Sequence, residues 1–87
     1  AWKCFVSPVV GKIISMPSAK TIKRNPGVCE IWLHHEQGDE IKGLDSNFSW
    51  IVQVMCTGRD HKEAKLNAAR AIDFVASHTL IEQVATP

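Results

Sequence analysis

Several features of specialised small proteins are scarce in this chain of 87 residues. Its formal net charge is only +1, too small for binding nucleic acid by overall charge alone, so such binding would need local basic patches. No apolar run approaches the ~20 residues that a membrane-spanning helix needs, and the N-terminal segment lacks the pattern of a secretory signal. We therefore expect a protein of the cytoplasm or nucleus. The missing initiator methionine favours a module of a longer protein.

Cysteine is also sparse, with Cys4, Cys29 and Cys56 scattered along the chain and no CxxC pair. This spacing argues against a disulfide framework, so we expect reduced thiols. A zinc site needs about four ligands, usually in close pairs, and His34-His35 with three distant cysteines is the nearest approach. We expect neither a metal site nor a cofactor.

Signatures of catalysis are missing as well. The sequence has no Ser/His/Asp arrangement with a local signature, no paired carboxylates in apolar surroundings and no phosphate-binding glycine loop. We expect no catalysis by the domain itself, although it could be attached to a catalytic protein.

The residues that are present predict helices at both ends of the chain. Ser7-Pro8 is a typical helix opening, and Pro17 would end that helix after about two turns. Near the other end, Asp60 and Glu63 have the spacing of a capping box for a long helix that ends near Ser77-His78. On this last helix an apolar stripe lies beside a basic one. The apolar stripe contains Ala64, Ala68, Ala71, Ile72 and Val75.

Three strands are predicted between the helices. Val28 to His35 alternates, with Glu30, Trp32 and His34 on the face opposite Cys29, Ile31 and Leu33. A short strand is expected over residues 40–44, and a third over 49–56 with Trp50, Val52, Val54 and Cys56 on one face.

This order of elements predicts an α+β fold. Because no helical pattern separates the strands, the fold should be a two-layer α-β-β-β-α sandwich, an antiparallel three-stranded sheet with both helices on one face. We expect a single domain over residues 1–87, with a core over about 5–78 and a frayed tail over 79–87.

The segment from Cys56 to Ala69 resembles the C-terminal motif of double-stranded RNA-binding domains, G-x-G-x-S-K-K-x-A-K-x-x-A-A. The positions that match in register are Gly58, Lys62, Ala64, Lys65, Ala68 and Ala69. Cys56, Asp60 and His61 depart from the motif. Ser7-Pro8-Val9 also resembles the start of the first helix in that family, particularly in the C-terminal copy of Dicer or ribonuclease III-type proteins.

The resemblance implies a non-catalytic module for RNA processing or RNA silencing that recognises double-stranded RNA by shape, phosphates and 2′-hydroxyls. It places Lys62 and Lys65 on major-groove phosphates, with Arg59 and His61 as nearby donors. It places Lys12 and Ser15 of the first helix in one minor groove. The loop that begins at His35 would enter the next.

Two alternatives remain open. Trp32 faces away from the predicted helices and the loop after it is acidic, which would suit a degenerate member of the family that binds a protein partner or dimerises through its sheet. Residues 10–18 also resemble the helix of a KH domain, which binds single-stranded RNA, although Ser15 to Ser18 lacks the glycines of the GxxG loop.

Overall fold

The computed structural model describes residues 1–42 and 49–83. The strands described are β1 (Trp2–Val6), β2 (Gly11–Ser15), β3 (Val28–Leu33), β4 (Glu40–Ile41), β5 (Trp50–Cys56) and β6 (Leu80–Gln83). The helices are α1 (Ala19–Ile22), which precedes β3, and α2 (His61–Ser77), which precedes β6.

The strands form two antiparallel sheets of three strands each within the described residues. Sheet A has the order β1-β5-β3, and sheet B has the order β4-β2-β6. The α+β class and the antiparallel three-stranded sheet are therefore confirmed.

One hydrophobic core joins both sheets to the helices. Helix α2 packs across all three strands of sheet A, and α1 contacts both α2 and β3. The core residues are Ile13, Ile22, Ile41, Ile51, Val52, Val54, Cys56, Ala68, Ala71, Ile72 and Val75. Among the described residues, no helix combines the length and the apolar character needed to cross a bilayer.

The helix predicted from Ser7 to Pro17 is wrong, because residues 11–15 form β2 at the centre of sheet B. The Ser7 hydroxyl does not cap a helix; it donates to the Val9 carbonyl at 2.6 Å. Burial alternates from Gly11 to Ile14, as expected for a strand. Pairing with β4 and β6 supplies the backbone hydrogen bonds that a two-turn helix would have made internally.

The order of elements differs from the predicted one at both ends of the chain. Residues 2–6 form the edge strand β1, and residues 80–83 form β6, where a frayed tail was predicted. The short strand predicted over 40–44 is present as β4 but pairs in sheet B, and its predicted residues 43 and 44 lie outside the described part of the chain.

Two irregularities change which side chains share a face of sheet A. Phe5 pairs with Val52 and the next residue, Val6, pairs with Trp50, so Ile51 is an extra residue in β5. As a result Ile51 and Val52 are both buried, whereas Trp50 is not. The predicted common face for Trp50 and Val52 is therefore wrong. A second shift leaves Cys29 exposed between paired neighbours, whereas an apolar face was predicted for it.

The long C-terminal helix is confirmed. Asp60 is its N-cap, and the buried residues include the whole predicted apolar stripe, Ala64, Ala68, Ala71, Ile72 and Val75. The predicted end near Ser77-His78 is also confirmed, with His78 as the C-cap. Small alanines at the contact let this helix lie close against sheet A.

Candidate functional site

The start of α2 carries the strongest basic cluster that the sequence predicted. Asp60 accepts a hydrogen bond from the backbone N–H of Glu63 at 2.8 Å, which satisfies one of the free donors of the first turn. Glu63 in turn accepts from the Arg59 guanidinium at 2.9 Å and from the Arg59 backbone N–H at 3.3 Å. The Arg59 charge is thus engaged with a carboxylate of its own helix start.

The other predicted donors of this cluster, His61, Lys62 and Lys65, are exposed on the first turns of α2. Solvated lysines on an amphipathic helix are common in proteins that bind no polyanion. Their exposure therefore does not by itself identify a ligand.

Lys12 and Ser15 lie on β2, at the opposite end of α2 from this cluster. Their cross-strand neighbours are on β6, where Ser15 is opposite Leu80, and β6 begins only after α2 has ended at Ser77. Lys12 is also flanked by carboxylates, with Glu40 opposite on β4 and Glu82 opposite on β6. These two carboxylates would repel a phosphate that approached Lys12.

His35 lies in the turn between β3 and β4. Its Nδ1 is 3.5 Å from Asp39 Oδ2, which also accepts the Glu36 backbone N–H at 2.8 Å. The histidine thus lies beside an acidic side chain that helps close the turn. The turn also hydrogen-bonds to β2, because the Ile13 backbone N–H donates to the Asp39 carbonyl at 2.9 Å. The structure therefore brings two of the regions predicted to grip RNA together, beside carboxylates, and separates them from the start of α2.

The thiols of Cys4, which is half-buried, and Cys56, which is buried, are poor candidates for chemistry. Burial raises the pKa of the Cys4 thiol. Burial also raises the pKa of Cys56, with a further contribution from nearby Cys29 and a smaller opposing one from the N-terminal amine. Both thiols therefore stay protonated near neutral pH, where the thiolate would be the reactive form.

The most distinctive surface of the described residues is the side of sheet A that faces away from α2. Cross-strand partners in an antiparallel sheet share a face, so the register assigns the members directly. We call this surface the aromatic face. It consists of Trp2, Cys4 and Val6 of β1, Trp50, Gln53 and Met55 of β5, and Glu30, Trp32 and the following His34 along β3. None of these nine residues is buried.

All three tryptophans of the chain lie on this face. Trp2 and Trp32 stack across β5 with ring centroids 4.8 Å apart and an interplanar angle of 22°, yet they remain 55% and 36% exposed. Stacking of this kind stabilises an aromatic pair beyond the area that it buries. The pair forms an apolar ridge in contact with solvent.

Polar contacts order the other end of the aromatic face. His34 Nε2 lies 3.2 Å from Gln53 Oε1, and the His34 ring meets Trp50 edge-on at 6.1 Å. Tryptophan, methionine and neutral polar groups are typical of surfaces that contact protein.

Sequence reasoning placed Glu30, Trp32 and His34 on one face of their strand and named Trp32 as the interface candidate, but it found no member of this surface on β1. The i, i+2 spacing of Trp2, Cys4 and Val6 is a strand signal that was available. Trp50 could not be placed, because the shift at Ile51 moves it to the opposite face from Val52. In the described ranges 1–42 and 49–83, no group of three histidine, cysteine or acidic side chains is arranged to hold a metal ion.

Comparison with protein families matches residues 3–79 to the L-amino acid ligase C-terminal domain 2. No curated protein and no solved structure matches the chain significantly. The match spans β1 to the end of α2, so it includes the segment that resembled an RNA-binding motif.

This match overturns the functional predictions. The assignment to double-stranded RNA-binding domains of Dicer type is wrong, as are RNA processing or silencing and double-stranded RNA as the partner. The alternatives of a degenerate interaction module and of a KH-like domain are wrong for the same reason, since both depended on the RNA-binding folds. The motif match arose because α2 has a capped start, buried alanines that pack on sheet A and exposed lysines on its other side. The RNA-binding motif describes the same pattern. The chain belongs to the L-amino acid ligase C-terminal domain 2 family.

Proposed function

We propose that this chain is the second C-terminal domain of an enzyme that joins L-amino acids, and that it supports the enzyme through packing. The observation that carries the proposal is the family match over residues 3–79. Such an enzyme joins the carboxyl carbon of one amino acid to the amino nitrogen of another. One carboxylate oxygen must leave and the amine must lose a proton, and coupling to the cleavage of ATP would carry off that oxygen on phosphate.

The chemistry of the described residues supports a structural role within that enzyme. The half-buried thiol of Cys4 and the buried thiol of Cys56 have raised pKa values, which favour their protonated, less nucleophilic form. The exposed cation of Arg59 is engaged by Glu63. What the domain offers is an exposed aromatic surface with a single formally charged side chain, Glu30, among its nine members. That the domain alone is not an enzyme, and that the protein resides in the cytoplasm or nucleus, stay predictions.

The test uses the whole gene product that contains this chain, supplied with pairs of L-amino acids and ATP. Dipeptide formation, measured by mass spectrometry, is expected for the intact polypeptide. Removal of the segment from β1 to β6 should abolish or strongly reduce it, because the remaining protein loses a packed domain. An exchange of exposed Lys65 for alanine serves as the control and should leave dipeptide formation unchanged.

Two results would contradict the proposal. One is the absence of dipeptide formation across a broad set of L-amino acid pairs with a folded polypeptide. The other is full activity after removal of the domain.

A further inference from the structure

We propose that the aromatic face is the surface on which the upstream part of the same ligase polypeptide docks. The inference rests on the proposed function, because a second C-terminal domain functions beside other parts of one enzyme. It adds the location of the contact and the chemistry of the surface that covers it.

The first argument is the exposure of large apolar side chains. Trp2, Trp32 and Val6 are among the large hydrophobic residues that remain exposed, and all three lie on this one side of sheet A. Scattered apolar residues on a surface need no explanation, whereas a continuous aromatic patch indicates a contact. The other side of sheet A is already covered by α2.

The second argument is charge. At neutral pH, with histidine counted as neutral, Glu30 is the only formally charged side chain among the nine. A surface of this composition would gain nothing from a polyanion and suits an apolar partner surface with a polar or basic group facing Glu30.

The third argument is area. The three strands have five, six and seven residues. At about 4.8 Å between strands and about 3.3 Å per residue, the face measures about 14 by 20 Å, or about 300 Å². This is a projected area, and the accessible surface of the side chains is larger. Even about twice this value stays below the about 800 Å² that each partner of a stable contact between freely diffusing proteins usually buries, whereas contacts between domains of one chain begin near 300 Å² a side. The area therefore favours a partner tethered in the same polypeptide over a separate protein.

The fourth argument is the path of the chain. The family match begins at residue 3, within β1, and Trp2 is the first residue of that strand. In a ligase whose upstream part precedes this domain, the chain enters β1 beside Trp2, which is the most exposed large hydrophobic residue of the aromatic face. A connection within one polypeptide raises the effective concentration of the two surfaces and lets a small contact persist.

The experiment is hydroxyl-radical footprinting of the whole gene product, with oxidation of single residues read by mass spectrometry. Trp2 should oxidise at least about five-fold more slowly than its exposure within the domain would allow, because the core of an interface excludes solvent. Leu66 of α2, which is 48% exposed and lies off the face, should react at the rate of an exposed leucine.

A matched pair of variants of the same polypeptide sharpens the test. Val6→Glu places a charge on the aromatic face about 13 Å along β1 from Trp2, so it leaves the tryptophan stack in place. It should restore rapid oxidation of Trp2. Leu66→Glu, the control, should leave Trp2 protected.

The outcomes separate this inference from the proposed function, because dipeptide formation is measured on the same preparations. Rapid oxidation of Trp2 in an active polypeptide overturns the docking inference alone. Protection of Trp2 in a folded polypeptide that makes no dipeptide contradicts the proposed ligase function alone. Protection that rises with protein concentration would mean that a second copy covers the face, which also overturns the inference.

Discussion

Asn67 is the residue at which three segments of the chain meet. Its side-chain amide donates to the Thr57 carbonyl at 2.9 Å, and the Thr57 backbone N–H donates to the Gly27 carbonyl at 2.8 Å. Gly27 has a φ of +79°, and a Cβ there would lie 2.5 Å from the Asn67 side-chain nitrogen. A buried asparagine thus ties the turn before β3 and the end of β5 to α2.

We expect Asn67→Ala to lower the free energy of unfolding by about 1–2 kcal/mol, because the Thr57 carbonyl loses its side-chain partner inside a packed junction. Urea denaturation measures the change. Lys65→Ala, at an exposed position of the same helix, is the control and should change the free energy by less than about 0.5 kcal/mol. Equal stability of the two variants would show that the Asn67 hydrogen bond contributes nothing.

At the scale of elements, the close approach of β2 and β6 in sheet B requires glycine at position 11. At Gly11 on β2, a Cβ would lie 2.1 Å from the Glu82 carbonyl oxygen of β6. Any side chain at this position would push the two strands apart. The absence of a side chain at Gly11 is what lets β6 pair with β2 at this position.

Gly11→Ala should therefore detach β6 from β2 and lower the free energy of unfolding by about 1–3 kcal/mol, the usual cost of forcing atoms into a packed site. Hydrogen exchange at the β6 amides should speed up markedly. Lys12→Ala, at the exposed neighbouring position, should leave the protection of β6 intact. Slow exchange in the Gly11 variant would contradict the close approach of the two strands.

The helices and strands also differ in how well the sequence predicted them. Helix α2 was predictable because Asp60, Glu63 and the alanine stripe are local signals that agree with its packing. Strand β2 was missed because the local helix opening at Ser7-Pro8 competes with pairing partners that lie far away in sequence, on β4 and β6.

Across the whole molecule, the two sheets share a single core. Ile13 of β2 and Ile41 of β4 are fully buried in the same cluster as Val52, Val54 and the inner face of α2. Sheet B is therefore an integral part of the domain, and the domain should unfold as one cooperative unit.

Ile13→Ala should lower the free energy of unfolding by about 2–5 kcal/mol, because it leaves a cavity at the junction of both sheets. The transitions followed by tryptophan fluorescence, which reports on sheet A, and by far-ultraviolet circular dichroism should shift together. Ile14→Ala, at the exposed neighbouring position, should cost much less. A fluorescence transition that stays in place would show that sheet B unfolds separately.

Both the predicted RNA-binding site and the aromatic face depend on how the whole molecule is folded. The RNA-binding prediction needed Lys12, His35 and Lys62 to face one ligand, but β2 is held at the far end of α2 from Lys62. The aromatic face gathers three tryptophans from three strands that are distant in sequence. A register shift at Ile51 completes it, and no local pattern specifies that shift.

The sequence by itself determined the α+β class, the capped helix α2 with its buried stripe, and the alternating strand β3, because these features depend on residues within a few positions of one another. Tertiary structure alone decided that residues 11–15 are a strand, that residues 80–83 join it, and that Trp2, Trp32 and Trp50 form one surface. Those outcomes depend on long-range pairing, which supplies hydrogen bonds and burial that local preference cannot.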